Sequence, residues 1–292
     1  MQKMINRVSF VGIFGNVLLC GFKFIAGIAG HSGAMVSDAI HSLSDVLATF
    51  IAWIGVRASQ KVPDKEHPYG HERFECLASL ILGMILMATS VIVGYSGLLK
   101  IFAGHYEELV IPKKIALAAA ILSIVVKELM FWYTRHYAKL LNSSAFMADA
   151  WHHRSDAFSS VGSLIGIGGA MLGFPVLEPA ASVVIALCIM KVAFDILKDA
   201  VDKMLDTSVS EEEEGRIRSF IASREGVLGV DMLHTRQFGN KIYIDVEISC
   251  EATLLLSEAH EIAERVHDEV EKEFPDTKHI MVHVNPATGG HS

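Results

Sequence analysis

The sequence predicts an α-helical membrane protein: six transmembrane helices over residues 1–207, then a small α+β domain over residues 208–292 that stands in water. Three observations predict it. The 292 residues are 51% hydrophobic and 20% charged, with mean hydropathy +0.39, whereas a soluble domain carries about 25% charge. Apolar runs recur six times at a length suited to crossing a bilayer. The charge is also divided: residues 208–292 hold 17 acidic and 8 basic side chains, a balance of −9, against 16 and 17 in residues 1–207. Cys20, Cys76, Cys188 and Cys250 lie far apart with no CxxC pair, which excludes a disulfide scaffold and suits thiols in a reducing compartment. The composition excludes disorder. An acidic tail repels nucleic acid, so no nucleic acid is expected as a partner.

A spanning helix needs about 20 mainly apolar residues. The runs are Val8–Ala29, Gly33–Val56, Cys76–Ile101, Ile111–Tyr133, Ala145–Phe174 and Ala180–Leu197. The first is too long and too polar at its end for a cleaved signal peptide. Gly30-His31-Ser32-Gly33 reverses the chain between the first two, and Pro175 to Pro179 separates the last two. Lys3 and Arg7 precede the first span. Arg57, Lys61, Lys65 and Arg73 follow the second, and Arg135 and Lys139 follow the fourth. The opposite loops hold only Lys100, Lys113 and Lys114, at helix ends. The excess puts both termini in the cytoplasm, with the cell (inner or plasma) membrane as the default host.

In the tail, Ser208 or Ser210 caps a helix opening on Glu211–Glu214, whose carboxylates suit the positive helix end. Strands follow at Val230–Phe238 and Lys241–Cys250, joined by the hairpin signal Gly239-Asn240. Ser257 opens a second amphipathic helix that ends before Pro275, and His279–Val284 makes the last strand, giving αββαβ. Alternation turns Ile242, Ile244, Val246 and Ile248 to the core and Tyr243, Asp245 and Glu247 away from it. The last strand likewise sets Ile280, Val282 and Val284 against His279, Met281, His283 and Asn285. One sheet face therefore shows Asp245 and His283, with His260 on a nearby helix.

Two segments carry the chemistry. Ser37-Asp38-Ala39-Ile40-His41-Ser42-Leu43-Ser44-Asp45 and Ala148-Asp149-Ala150-Trp151-His152-His153-Arg154-Ser155-Asp156 both reduce to D-A-x-H-x-x-S-D. Residues four apart share a helix face, so His41 sits over Asp45 and His152 over Asp156. Two such helices brought together offer two imidazoles and two carboxylates to one point. That set suits tetrahedral Zn²⁺ and tolerates Co²⁺, Cd²⁺ or Fe²⁺. Polar glue between helices is the plainer reading, but each mid-membrane Asp costs about 2.5–3.5 kcal/mol on insertion scales. Asp38 and Asp149, one turn earlier, either orient an imidazole or mark helix starts at the interface. His153 and Arg154 face elsewhere on the turn. Between the second and third spans, Asp64, His67 and His71 form D-x-x-H-x-x-x-H. Pro68 and Gly70 break helical spacing there, yet a short turn can fold all three ligands around one exposed ion.

The six spans, the HxxxD motifs in the second and fifth, and the acidic tail resemble the cation diffusion facilitator family, in its zinc-type members. The resemblance covers essentially the whole chain. It implies a homodimer that exports divalent metal from the cytosol by alternating access in exchange for protons, and a metallochaperone-like tail. It implies that Asp64, His67 and His71 hold a regulatory or structural zinc, and that Arg73 pairs with Asp206 at the dimer interface. It also implies metal on the tail at Asp231, Asp245, His260 and His283, where this sequence has Asp231 and Asp245 in place of the histidines of certain relatives. The tail metal would act as a sensor that tightens the dimer and favours one transport conformation. Fe²⁺, Mn²⁺, Co²⁺ or Cd²⁺ is the alternative cargo, and a metal-sensing membrane scaffold that moves no ion is the alternative function. An enzyme is not expected: there is no HExxH motif, and four protein ligands leave no open position for zinc catalysis.

Overall fold

The computed structural model describes residues 2–29, 33–103, 114–171 and 177–287, except for the side chains of 26–29, 33–44, 103, 114–120, 159, 162–171, 177–179 and 181–182. The chain divides into two compact units, Met1–Val201 and Asp202–Ser292.

The first unit is built of long helices: α1 (Gln2–Ala29), α2 (Gly33–Ser59), α3 (Arg73–Ala103), α4 (Lys114–Leu140), α5 (Ser144–Met171) and α6 (Leu177–Met204). Several outrun the apolar runs in the sequence. α3 starts at Arg73 instead of Cys76, and α4 continues past Tyr133 to Leu140. A helix meets its backbone hydrogen bonds internally, so it does not have to stop where the hydrocarbon stops. Among the described residues, Gln2–Ile25 and Arg73–Phe102 are each long and apolar enough to cross a membrane.

That burial is inverted relative to a water-soluble bundle. α1 exposes Phe10, Phe14, Leu18, Phe22 and Ile25 while Asn16 is fully buried. Asp45, Thr49, Lys127, Asp149, His152, His153 and Asp156 are buried as well. Apolar outside and ionisable inside is the arrangement a lipid solvent selects. α2 packs on α1, α3 and α5, while α4 packs on α5 and α1, so four helices surround the polar interior. At Gly55 of α2 an added Cβ would collide with the Ala78 methyl of α3. Only glycine permits that approach.

The second unit holds α7 (Glu211–Ala222), β1 (Gly229–Phe238), β2 (Lys241–Cys250), α8 (Leu256–Glu273) and β3 (Thr277–Pro286). The Glu213 backbone N–H donates to Ser210 Oγ at 3.3 Å, which makes Ser210 the cap of α7. β1 and β2 pair antiparallel, and β2 and β3 pair parallel, in the order β1-β2-β3. Ile217, Ile221, Ile244, Val246, Ile248, Val266 and Val270 form the core. Three details depart from the sequence reading. α8 begins at Leu256, one residue ahead of Ser257, because the Glu258 carboxylate accepts from the Leu255 N–H at 2.8 Å. Tyr243 is buried on the face expected to be open, packed 5.1 Å from Phe238 and 5.8 Å from His279. The register also slips between Val230 and Met232, so Asp231 sits at a bulge.

Candidate metal-transport site

Asp45 of α2 and His152 and Asp156 of α5 converge in the interior of the first unit. Each presents a ligand atom within 4.8 Å of the others, and all three are buried. His152 Nε2 lies 3.4 Å from Asp45 Oδ1, and neither atom has a hydrogen-bond partner among the described residues. A soft-edged cation that accepts both nitrogen and oxygen suits such a pair. α2 carries His41 one turn before Asp45, but the side chains of His41 and Asp38 lie outside the described residues.

A group that the motif reading passed over sits in the middle of this trio. Lys127 of α4 is 2% exposed, and its ammonium donates to Asp45 Oδ2 at 2.5 Å, Asp156 Oδ2 at 2.9 Å and Asn16 Oδ1 at 3.0 Å. Asn16 Nδ2 in turn donates to Thr49 Oγ1 at 3.3 Å, and Thr49 Oγ1 donates to Asp149 Oδ1 at 3.0 Å. Asp149 Oδ2 lies 3.6 Å from His153 Nε2. The polar interior is thus one chain of groups drawn from α1, α2, α4 and α5. The sequence signal for Lys127 was its place in the fourth apolar run, since an ionisable residue within a span is functional by default. Asn16 and Thr49 gave no such signal. Outside this chain, Arg154 pairs with Glu128 at 3.2 Å and lies 4.2 Å over the Phe131 ring.

The loop before α3 gathers a second trio, Asp64, His67 and His71, again within 4.8 Å. Gly70 makes the turn with φ of +106°, which brings the two imidazole centres to 4.5 Å. Asp64 Oδ1 accepts from the His67 and Glu66 N–H groups at 2.8 and 3.1 Å, and Oδ2 accepts from Lys61 at 2.7 Å. The Lys61 ammonium, then the His67 N–H, hold the Asp64 carboxyl well below the usual carboxylate range. His71 is buried, and His67 is exposed.

In the tail the polar residues divide into two groups. Asp231 accepts from Ser249 Oγ at 2.5 Å and Asn285 Nδ2 at 3.0 Å, and Asn285 also donates to Glu247 at 3.1 Å. Those bonds hold the Asp231 carboxyl below its ordinary value. His260 and His283 line a cavity of about 440 Å³ with Asn285, while Asp231 and Asp245 do not line it. Asp245 pairs in register with Met281, and Glu247 with His283. None of the four tail residues belongs to either convergent trio. Arg73 opens α3 in the first unit, and Asp206 follows α6 in the second.

Comparison with known proteins bears on the whole chain. The cation efflux transmembrane domain matches residues 9–205, and the cation efflux protein cytoplasmic domain matches residues 209–287. "Uncharacterized transporter MJ0449" of Methanocaldococcus jannaschii is 36% identical over 97% of this chain and 99% of its own length. "Manganese efflux system protein MneP" of Bacillus subtilis is 29% identical over 98% and 97%. "Metal tolerance protein C1" of Arabidopsis thaliana is 32% identical over 97% of this chain, which spans 62% of that relative. A solved MamM-CTD structure matches 27% of this chain and 100% of its own at 25% identity, with a TM-score of 0.27. A helical membrane domain followed by a small sheet-and-helix cytoplasmic domain, with both parts matched in order, makes the chain a member of the cation diffusion facilitator family of metal transporters.

Proposed function

We propose that the protein exports a divalent cation from the cytosol in exchange for protons, with Zn²⁺ as cargo and His41, Asp45, His152 and Asp156 as its ligands. The observation that carries the reading is the buried convergence of Asp45, His152 and Asp156. Their sequence segments repeat one motif, so the missing quarter of the set falls to His41 on α2. Two carboxylates offset the charge of a divalent ion, and the imidazoles set a preference for borderline metals. Ligation needs neutral imidazole and ionised carboxylate, so protons and metal compete for the same atoms. That competition is the coupling.

The protein works as a homodimer in the cell membrane with both termini cytoplasmic, residues 1–207 forming the membrane domain and 208–292 the tail. Asp64, His67 and His71 hold a structural or regulatory ion, because no spanning path leads to a loop. Asp231, Asp245, His260 and His283 serve a sensing tail, and Arg73 with Asp206 ties the dimer together at the membrane surface. One observation favours a second cargo. The B. subtilis relative is named for manganese efflux, and a set without thiolate admits Mn²⁺.

The test is flux into proteoliposomes under an imposed pH gradient, with Zn²⁺ and Mn²⁺ in competition. Saturable Zn²⁺ uptake that Mn²⁺ scarcely inhibits, and that is lost in the His41→Ala and Asp156→Ala double variant, supports the reading. Uptake unchanged in that variant overturns the site, and preferential Mn²⁺ uptake transfers the cargo to manganese. Binding without flux would mark a sensing scaffold.

A further inference from the structure

We propose that Lys127 is a tethered counter-cation of the transport site: its ammonium holds the place between Asp45 and Asp156 when cargo is absent, and incoming cargo drives it toward Asn16, Thr49 and Asp149. This deepens the reading that Asp45 and Asp156 ligate the cargo, and it rests on that reading.

Three observations converge on it. The ammonium bonds one oxygen of each cargo carboxylate, at 2.5 and 2.9 Å. No divalent ion can use those two oxygens while the ammonium remains. The charges also close. Among the described residues of this network, Asp45, Asp149, Asp156 and Lys127 are all buried, and their formal sum of −2 equals what a divalent cation neutralises. Asp45 and Asp156 facing cargo leave Asp149 to balance the displaced ammonium. Finally, a route of acceptors already leads there. Lys127 bonds Asn16 at 3.0 Å, and Asn16 links through Thr49 to Asp149. A lysine stem is flexible enough to swing between the two sets, where the planar fork of arginine would be held.

The consequence concerns the empty carrier. Buried carboxylates left unpaired are strongly unfavourable, and a carrier returning without metal has two of them facing each other. Lys127 offsets half of that charge from within, and the exchanged protons supply the rest. The same ammonium opposes cargo binding and so promotes cargo release. Affinity is weakened and turnover gained. The device is an exchange of one cation for another between the two carboxylates, and it works beside the proton competition at the ligands.

The experiment measures Zn²⁺ flux in proteoliposomes and thermal unfolding of the detergent-purified full chain with and without Zn²⁺. Lys127→Met removes the charge at similar length, and Lys127→Gln serves if the first variant does not yield a monodisperse protein. Expected are a KM at least tenfold lower with kcat also lower, a metal-free midpoint below wild type, and a larger gain in midpoint on adding Zn²⁺. Lys127→Arg, which keeps the charge but is held between the carboxylates, shows no fall in KM. A folded neutral variant whose KM does not fall, or whose gain from Zn²⁺ equals that of wild type, overturns the proposal. Asp156→Asn is run alongside. If flux survives that change the ligand assignment itself is wrong, whereas lost flux together with an unmoved KM in Lys127→Met refutes only the counter-cation.

Discussion

Asp45, His152 and Asp156 on one side and Asp64, His67 and His71 on the other are both trios of imidazole and carboxylate, each within 4.8 Å. Their settings are opposite. The loop trio comes from one short segment, and its acid is already bound by Lys61 and two backbone N–H groups. The interior trio exists only because α2 and α5 pack together, and its acids share a single ammonium from α4. Ligand type is therefore a poor guide to what a cluster does, and dielectric setting a better one. A charge moved near the loop meets water and counter-ions. A charge moved in the interior must be matched by another, and that requirement is what makes the interior trio suited to coupled exchange.

The sharpest way to break this contrast is to neutralise one interior acid. Asp156→Asn should lower flux by about a hundredfold or more, since removing even an outer partner of a metal ligand costs 10–100-fold. Lys127 retains Asp45 in that variant, so the fold should survive, with a thermal midpoint within a few degrees of wild type. Collapse of the purified protein instead would mean that the network holds the fold and not the cargo. His152→Ala is the next step down. It deletes a ligand without unbalancing the charges, so a loss of about 10–100-fold in kcat/KM is expected. A variant with unchanged kcat/KM would remove His152 from the site.

The sequence made half of this centre legible. The repeated D-A-x-H-x-x-S-D pattern marked Asp45, His152 and Asp156 because local spacing on a helix is written in the chain. Lys127, Asn16 and Thr49 are joined to them only by tertiary packing across α1, α2 and α4, which no local period encodes. Asp149 illustrates the same limit: its helix position was plain, but its partners, Thr49 and the His153 ring, were not. In the tail, alternation found the core strand Ile242, Ile244, Val246 and Ile248 yet missed the bulge at Asp231, since a slipped register depends on the partner strand. The loop trio was the most readable of all, being closed by its own turn.

If the loop ion is structural, His71→Ala should remove one bound Zn²⁺ per chain, measured by metal analysis after gel filtration. Flux should stay within about threefold of wild type, because the removed ligand contributes binding that is not specific to the transport step. A loss of flux matching that of Asp156→Asn would erase the distinction between the two centres and make the loop part of the path.

Acidification gives the finest discrimination, through Asp64. The Lys61 ammonium and the His67 N–H lower its pKa. A carboxyl with a lowered folded pKa contributes fully at any pH above its ordinary value of about 4, and loses that contribution only as pH falls through the folded value. Between pH 8 and 5, Asp64 should therefore be a constant ligand, and loss of loop metal in that window does not come from its carboxylate. Co²⁺ absorption of the Asp156→Asn protein, titrated over that range, should show a single acid limb. Lys61→Met raises the Asp64 pKa toward its ordinary value but leaves it below the window, so the limb should stay where it is. A limb that shifts upward in Lys61→Met would show that the carboxylate governs the loop site, and that its resemblance to the interior centre runs deeper than ligand type.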